Sequence, residues 1–234
     1  MAHSVLVTGG NRGIGLAVAR AFVENGDKVA VTHRGSPPPG DIFGVRCDVT
    51  YADQVEAAFK QVEDAHGPVE ILVSNAGVTD DTLLLRMSEE RFTSVLDTNL
   101  TGAFRVARRA ARSMLRGRWG RVILMSSVAG MSGTAGQVNY AASKSGMIGM
   151  ARSMAREFGT RGITVNVVAP GLVLTDMAKK LSEERRREMC AAIPLGRHGT
   201  VEEVASTVRW LASKEAGYVT GAVIPVDGGL GMGH

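Results

Sequence analysis

Thr8-Gly9-Gly10-Asn11-Arg12-Gly13-Ile14-Gly15 is the stretch that decides the fold. It follows a short apolar run, Ser4–Thr8, that reads as a strand. It opens a segment, Gly13–Asn25, with Ile14, Leu16, Ala17, Ala21 and Phe22 at helical spacing. The glycines fall as GxxxGxG through Gly9, Gly13 and Gly15, a spacing distinct from GxGxxG. A glycine-rich turn lets the backbone approach a pyrophosphate, and the following helix N-terminus stabilises that anion. A glycine loop alone is weak evidence. Between a strand and a helix at the start of a βαβ unit, it reads as a dinucleotide cradle.

Working outward, strand-like and helix-like segments alternate. Lys28–Thr32, Ile42–Arg46, Glu70–Ser74, Arg121–Ser126, Ile163–Val168 and Ala222–Val226 read as further strands. Helices are expected over about Ala52–Ala65, with Thr50 and Asp53 as capping candidates, and as one long segment from about Glu89 to Arg116. Another runs to about Phe158, and Thr200-Val-Glu-Glu203 looks like a capping box opening a last helix. Several strands are apolar throughout, as in a parallel sheet covered on both faces. Right-handed crossovers then give an α/β, Rossmann-type doubly wound parallel sheet of about seven strands with helices on both faces. No repeat or linker divides the chain, so residues 1–234 are read as a single domain. Within it, 175–199 reads as a helical lid with one apolar face over the substrate.

The chemistry is expected from Tyr140 and Lys144, in Asn139-Tyr140-Ala141-Ala142-Ser143-Lys144, with Ser127 thirteen residues upstream of the tyrosine. On a helix, i and i+4 share a face, so the ammonium lies beside the phenol. A phenol has a reference pKa of about 10. A nearby cation stabilises the phenolate and makes Tyr140 a better proton donor.

Composition narrows the alternatives. Of the 234 residues, 44% are apolar and 21% charged, which argues for a packed core and against disorder. No apolar run approaches the roughly 18 residues of a membrane span, and the N-terminus enters a strand pattern directly, so a cytoplasmic protein is expected. Cys47 and Cys190 are far apart and outside any CxxC pair, the five histidines are scattered, and no metal site is expected. The net charge is +4, and seven arginines fall between Arg105 and Arg121 without one Asp or Glu. Lacking interleaved aromatics, that run reads as a solvated helix face or a surface for an acidic partner rather than a nucleic-acid site.

The second strand ends in Thr32-His33-Arg34, with no acidic residue before Asp41 to hold ribose hydroxyls. Arg12 and Arg34, with His33 beside them, can contact a 2′-phosphate, so NADP(H) is expected over NAD.

Together these residues resemble the short-chain dehydrogenase/reductase family over essentially the whole chain. The resemblance rests on the Thr8–Gly15 loop, Cys47-Asp48-Val49, Asn75-Ala76-Gly77, Asn99, Ser127, Tyr140-x-x-x-Lys144 and Pro170-Gly171. It implies that Gly9, Asn11, Arg12, Gly13, Ile14 and Gly15 hold the cofactor, that Asp48 and Val49 flank the adenine, and that Asn75-Ala76-Gly77 line the cofactor beyond the fourth strand. Pro170, Gly171, Val173 and Thr175 would approach the nicotinamide. Lys144 would bind ribose and tune Tyr140, Ser127 would hydrogen-bond the substrate carbonyl, and Asn99 would help hold a proton-relaying water. Ser126 competes for the serine role, but thirteen residues back from Tyr140 lands on Ser127.

A closer resemblance is to bacterial, actinobacterial-type 3-oxoacyl-acyl-carrier-protein reductases, through Leu72–Gly77, Asn99–Phe104, Gly136–Lys144, Asn166–Gly171 and the ending Ile224–His234. It implies NADPH-dependent reduction of 3-oxoacyl thioesters on an acyl carrier protein in fatty-acid synthesis. Alternatives are a polyketide ketoreductase, an acetoacetyl-CoA reductase or an inactive nucleotide-sensing regulator. A hydrolase is disfavoured, since Ser127 has no G-x-S-x-G elbow. The resemblance also implies a homotetramer paired through the helix from Glu89 and the Tyr-Lys helix. Arg118, entering the strand that leads to Ser127, and Arg161, after the Tyr-Lys helix, are expected to border the catalytic layer and dock the carrier.

Overall fold

The computed structural model describes residues 2–174 and 190–232. The chain runs β1 (Ser4–Val7), α1 (Gly13–Glu24), β2 (Lys28–His33), β3 (Phe43–Arg46), α2 (Ala52–His66), β4 (Ile71–Ser74), α3 (Glu89–Leu96) and α4 (Gly102–Gly117). It continues through β5 (Gly120–Met125), a single turn α5 (Ala129–Ser132), α6 (Val138–Phe158), β6 (Ile163–Pro170), α7 (Val201–Ala212) and β7 (Val223–Val226). The seven strands are parallel, in the order β3-β2-β1-β4-β5-β6-β7. The order reverses between β1 and β4. Loops leaving those two strands diverge to opposite faces and open a crevice at their C-terminal ends.

The apolar strands are apolar because both of their faces are covered. Leu6, Leu72, Val122, Leu124, Val165 and Val167 point into a core closed by α2, α4 and α6. Their neighbours Val5, Val7, Ile71, Val73, Ile123 and Val168 point into a second core closed by α1 and α7. β1, β4, β5 and β6 are buried along their whole lengths, which fixes their register through side chains of both layers.

The long helix expected from Glu89 to Arg116 is two helices. A π-helical turn, Asp97–Thr101, separates α3 from α4. The wide turn carries Asn99 inward to 0% exposure. Gly102 then lets α4 close on Val49, whose side chain would be 2.6 Å from any Cβ at that position. Thr200 and Glu203 form the expected capping box on α7. The expected cap on α2 does not form: Tyr51 is the N-cap residue and makes no side-chain cap bond. The Thr50 hydroxyl donates instead to Asp48, 2.8 Å away, and Asp53 contributes only its charge to the first turn.

The arginine run divides: Arg108, Arg112, Arg116 and Arg118 are exposed, while Arg105 and Arg109 are partly buried and Arg121 is buried. Arg109 donates to Glu63 at 2.6 and 3.0 Å and to Glu56 at 2.9 Å, and its guanidinium lies 5.0 Å from the Phe59 ring centroid. Arg112 also reaches Glu56, and Arg105 reaches Asp97. Arg121 is buried and donates to the Gly120 and Gly162 carbonyls. Exposed pairs contribute less than about 1 kcal/mol. Arg109, with a side chain only 12% exposed, is the stronger member, because its loss strands a partly desolvated Glu63. Arg109 and Arg112 therefore clasp α2 to α4, while Arg108, Arg116 and Arg118 stand on a solvated face.

Arg118 and Arg161 are also not where they were expected. Both precede strands, β5 and β6, so they lie at the N-terminal edge of the sheet, where Arg118 reaches the Thr160 carbonyl. Ser127 follows β5 and therefore lies at the opposite edge. Within one chain, neither arginine borders the catalytic layer. The expected lid falls mostly on residues 175–189, outside the described residues; of 175–199, only 190–199 can be located.

Candidate active site

The cradle is built by interlocking two loops. The Thr8 hydroxyl accepts hydrogen bonds from the backbone N–H groups of Asn75 and Ala76, both at 3.0 Å. In return, Asn75 Nδ2 donates to the Thr8 and Gly9 carbonyls, also at 3.0 Å. Gly9 adopts φ of 63°, and a Cβ there would stand 3.0 Å from the Ala76 Cα. A Cβ on Gly15 would be 2.5 Å from both Asn75 Nδ2 and the Gly9 carbonyl. The glycines are therefore required by close backbone approach, the condition a pyrophosphate site also imposes. The cavity in front of them is about 640 Å³, within the size range of small-molecule sites.

Each glycine-loop residue singled out in the sequence, Gly9 and Asn11 through Gly15, lines that cavity, as do His33 and Arg34. Asp48 and Val49 line its far end, and Asn75-Ala76-Gly77 its floor. Asn11 Nδ2 is tied to the Ser36 carbonyl at 3.0 Å and His33 Nδ1 contacts the Gly35 carbonyl at 2.8 Å, so the loop after β2 closes the end of the cavity. Arg34 stands 3.6 Å from Asp48. Burial acts to raise the Asp48 carboxyl, but hydrogen bonds from Thr50 and the Arg34 charge outweigh it, and the group is held below the usual carboxylate value. Thr32, Gly35, Ser36 and Thr98 also line the cavity, as does Cys47 of the Cys47-Asp48-Val49 motif, and none of them was expected to hold the cofactor. Thr32 signals itself only in three dimensions, accepting the Gly9 N–H at 3.2 Å. The lining glycines and donors fit a dinucleotide.

At the same edge of the sheet, Ser127, Tyr140 and Lys144 come together. Lys144 Nζ lies 5.6 Å from the Tyr140 ring centroid, and the Ser127 hydroxyl is near enough to pull the phenol's pKa down. The competing serine is excluded by its bonding: Ser126 is buried, its hydroxyl donating to the Lys144 carbonyl at 2.8 Å. Ser127 remains partly accessible, accepting only the Ala129 N–H at 3.2 Å. Asn99 Oδ1 accepts from the Val78 N–H at 2.8 Å, while its Nδ2 donates to the Val78 carbonyl and to Ser143 Oγ, both at 3.0 Å. Ser143 in turn donates to the Tyr140 carbonyl at 2.7 Å. Asn99 thus braces the loop after β4 against the helical turn that carries the tyrosine. A Cβ on Gly77 would lie 3.2 Å from Asn99 Oδ1 and 3.4 Å from Lys144 Nζ, so that loop seals the cluster.

The electrostatics differ from the simple expectation of a cation-activated phenol. Burial pushes the Lys144 ammonium down to about 8, and its hydrogen bond goes to the Met125 carbonyl, at 2.7 Å. Burial also raises the Tyr140 phenol above its ordinary value, as does the Asp81 carboxylate, while the Ser127 hydroxyl pulls the other way. In the chain alone, Tyr140 is a phenol that keeps its proton.

Three further side chains position the cluster and were not singled out in the sequence. Asn139 is fully buried; it accepts the Tyr140 N–H at 2.7 Å and donates to the Asp80 carbonyl at 3.0 Å. Gln137 donates to Asp81 at 2.8 Å. Ser143 completes the link to Asn99. On the other flank, the Pro170 carbonyl accepts the Val128 N–H at 2.9 Å, Gly171 packs on Asp227, and Val173 bridges to Gly199. Thr175 lies outside the described residues.

A family model described as enoyl-(acyl carrier protein) reductase matches residues 9–231. The chain is 57% identical over 234 residues to the 3-oxoacyl-[acyl-carrier-protein] reductase MabA of Mycobacterium avium, covering all of this chain and 92% of that protein. Identity to the protein of the same name in Mycobacterium tuberculosis is 58% over 234 residues, covering 95% of it. The 3-oxoacyl-[acyl-carrier-protein] reductase FabG of Vibrio cholerae is 46% identical over 235 residues, with 97% of this chain and 96% of that protein aligned. Similarity of this extent runs through the cradle, the Ser127–Tyr140–Lys144 cluster and the last strand alike, and the chain belongs to the short-chain dehydrogenase/reductase family.

Proposed function

We propose that the chain is an NADPH-dependent reductase of 3-oxoacyl thioesters, acting on carrier-linked substrates of fatty-acid synthesis and releasing 3-hydroxyacyl products. The observation that carries this reading is the placing of the Tyr140–Lys144 pair, with Ser127 beside the phenol, against Gly77, which lines the glycine-bordered dinucleotide cradle. The relatives named as 3-oxoacyl-[acyl-carrier-protein] reductases support the substrate class. A bound nicotinamide supplies a hydride for the ketone carbon. Tyr140 then gives its proton to the oxygen that becomes an alkoxide, a far stronger base than a phenolate. Ser127 donates a hydrogen bond to that oxygen as charge develops. Lys144, with its ammonium near neutrality, is suited to replenishing the phenol's proton.

The choice of NADPH rests on Arg12 and Arg34, both exposed at the cavity, and on the absence of an acid at the end of β2. A 2′-phosphate would compete with Asp48 for Arg34 and would offer the more strongly charged partner. A polyketide ketoreductase or a CoA-thioester reductase would use the same groups. The family description also names enoyl reduction, so a 2-enoyl thioester belongs in the same assay.

Assembly as a homotetramer is supported by apolar side chains that the single chain leaves uncovered or half-covered on α4 and α6. Phe104 and Val138 are exposed, and Ile148, Met150, Met154 and Phe158 are partly buried. Pairing across a two-fold axis perpendicular to these helices runs each antiparallel to its copy. That brings the N-terminal sheet edge of one subunit towards the C-terminal edge of the next. Carrier docking on Arg118 and Arg161 then requires a second subunit. Light scattering should report about four chain masses; a species near 24.7 kDa would contradict the assembly.

Tyr140→Phe removes only the phenolic oxygen. It should leave NADPH binding intact and lower turnover of an acetoacetyl thioester by about 10²–10⁴. Turnover within about threefold of the parent would exclude the proton-donor role, and turnover on the enoyl substrate alone would move the reaction to the carbon–carbon double bond. Replacing Arg12 and Arg34 together with Ala should weaken NADPH binding by at least about tenfold, since each charged phosphate contact contributes roughly 1.5–3 kcal/mol. NADH binding should change little; equal losses for the two cofactors would refute the assignment.

A further inference from the structure

Cys190 and His198 lie outside the cluster described above and take no part in it. Cys190 Sγ is 2.9 Å from His198 Nδ1. The cysteine is partly accessible, and it is free. His198 is only 7% exposed, and among the described residues its Nε2 has no hydrogen-bond partner. Burying an imidazole with one nitrogen unpaired costs free energy, so the sulfur contact is the one polar interaction that the described surroundings give this ring. The pair is held in place on both sides. The Gly199 N–H donates to the Leu172 carbonyl at 2.9 Å, and the Leu195 N–H donates to the Gly228 carbonyl at 3.1 Å. Ile193 is buried against Gly228. A nucleophile within reach of a base, with the base fixed by its surroundings, is the arrangement of an activated thiol.

We propose that Cys190 and His198 form a nucleophilic thiol site that exchanges with low-molecular-weight disulfides. His198 Nδ1 takes the thiol proton. The Cys190 thiolate attacks one sulfur of the disulfide, its S–S bond breaks as the mixed disulfide forms, and the departing thiolate takes the proton back from the imidazolium. The small disulfide is the only oxidant needed, and one small thiol leaves. The adduct forms on the residue that contacts His198, whose neighbour Gly199 pairs with Leu172 and Leu174, just beyond Pro170-Gly171. It therefore modifies the flank of the catalytic cluster without touching Tyr140, Lys144 or Ser127. Cys47 offers no comparable chemistry: it is buried, and burial first, then Asp48 and Asp53, push its thiol up to about 11.

The test uses oxidised glutathione on the parent, Cys190→Ser and His198→Asn, followed by intact mass and peptide mapping at neutral pH. The parent should take one adduct, on Cys190, at least about tenfold faster than His198→Asn, as expected when a base supplies the thiolate. The adduct should be reversed by dithiothreitol and absent from Cys190→Ser. Since His198→Asn removes a buried ring, the parental rate is also compared with that of an unstructured peptide spanning residues 186–194, which it should exceed. Modification on Cys47 instead, a His198→Asn rate equal to the parent's, or a parental rate no greater than the peptide's would overturn the proposal. Loss of thioester reduction on modification, with Cys190→Ser protected, would extend the effect to activity. That arm alone rests on the reductase reading, and the labelling arms stand without it.

Discussion

One charge organises the catalytic edge of this molecule. Lys144 is 3% exposed, yet it carries an ammonium whose hydrogen bond within the described chain goes to a neutral carbonyl, that of Met125. An ion without a charged partner in a protein interior costs several kcal/mol even after relaxation, and the fall of its pKa to about 8 is the same cost read as a proton equilibrium. The surroundings are shaped to hold it. Ser126 bonds its backbone carbonyl, and Gly130 leaves room where a Cβ would stand 2.7 Å from the Lys144 Cβ. Gly77 passes close over its Nζ. Such an arrangement is a liability to stability, and its presence beside a cradle built for anions is the signature of a site rather than of packing.

The same region shows how local distortion serves position. The π-helical turn at Asp97–Thr101 breaks the periodicity of α3 and α4, and Asn99 uses the resulting inward direction to clamp the Val78 backbone and Ser143. Asn139 repeats the device from α6, reaching the Asp80 carbonyl. The loop after β4 is thus pinned at its start by Thr8 and Asn75, next by Asn99, and at its far end by Asn139. A cavity floor fixed at these points spends little binding energy on ordering itself when a ligand arrives.

Much of this was legible in the sequence for identifiable reasons. Strands buried on both faces read as continuous apolar runs, and the glycine loop and Tyr140–Lys144 pair are local in sequence, so spacing together with the flanking strand and helix patterns located them. The break between α3 and α4 was not legible, because apolar residues keep helical spacing on both sides of Asp97–Thr101. The solvated face expected of the arginine run holds for Arg108, Arg116 and Arg118, but the pairing of Arg109 and Arg112 was not legible, because Glu56 and Glu63 sit about fifty residues earlier and meet them only once α2 packs on α4. Arg118 and Arg161 were misplaced by neglecting direction: in a parallel sheet, residues entering a strand lie a strand's length from those leaving it. The i, i+4 spacing correctly brought Lys144 to Tyr140, but it carried no information on burial. The expected charge-assisted phenol therefore became, in the chain alone, a protonated phenol beside a weakened ammonium.

The catalytic edge depends on the burial of Lys144, and the proton equilibrium of that side chain can be followed directly. The cofactor-free protein, with its lysines labelled with ¹³C and ¹⁵N, can be titrated by NMR, the Lys144 resonance being assigned by its loss in Lys144→Met. A midpoint near 8 is expected, with the ammonium charged below that pH and neutral above it. A midpoint at the ordinary lysine value of 10.5 would mean that the ammonium is solvated, and that the catalytic edge is not built around a buried charge.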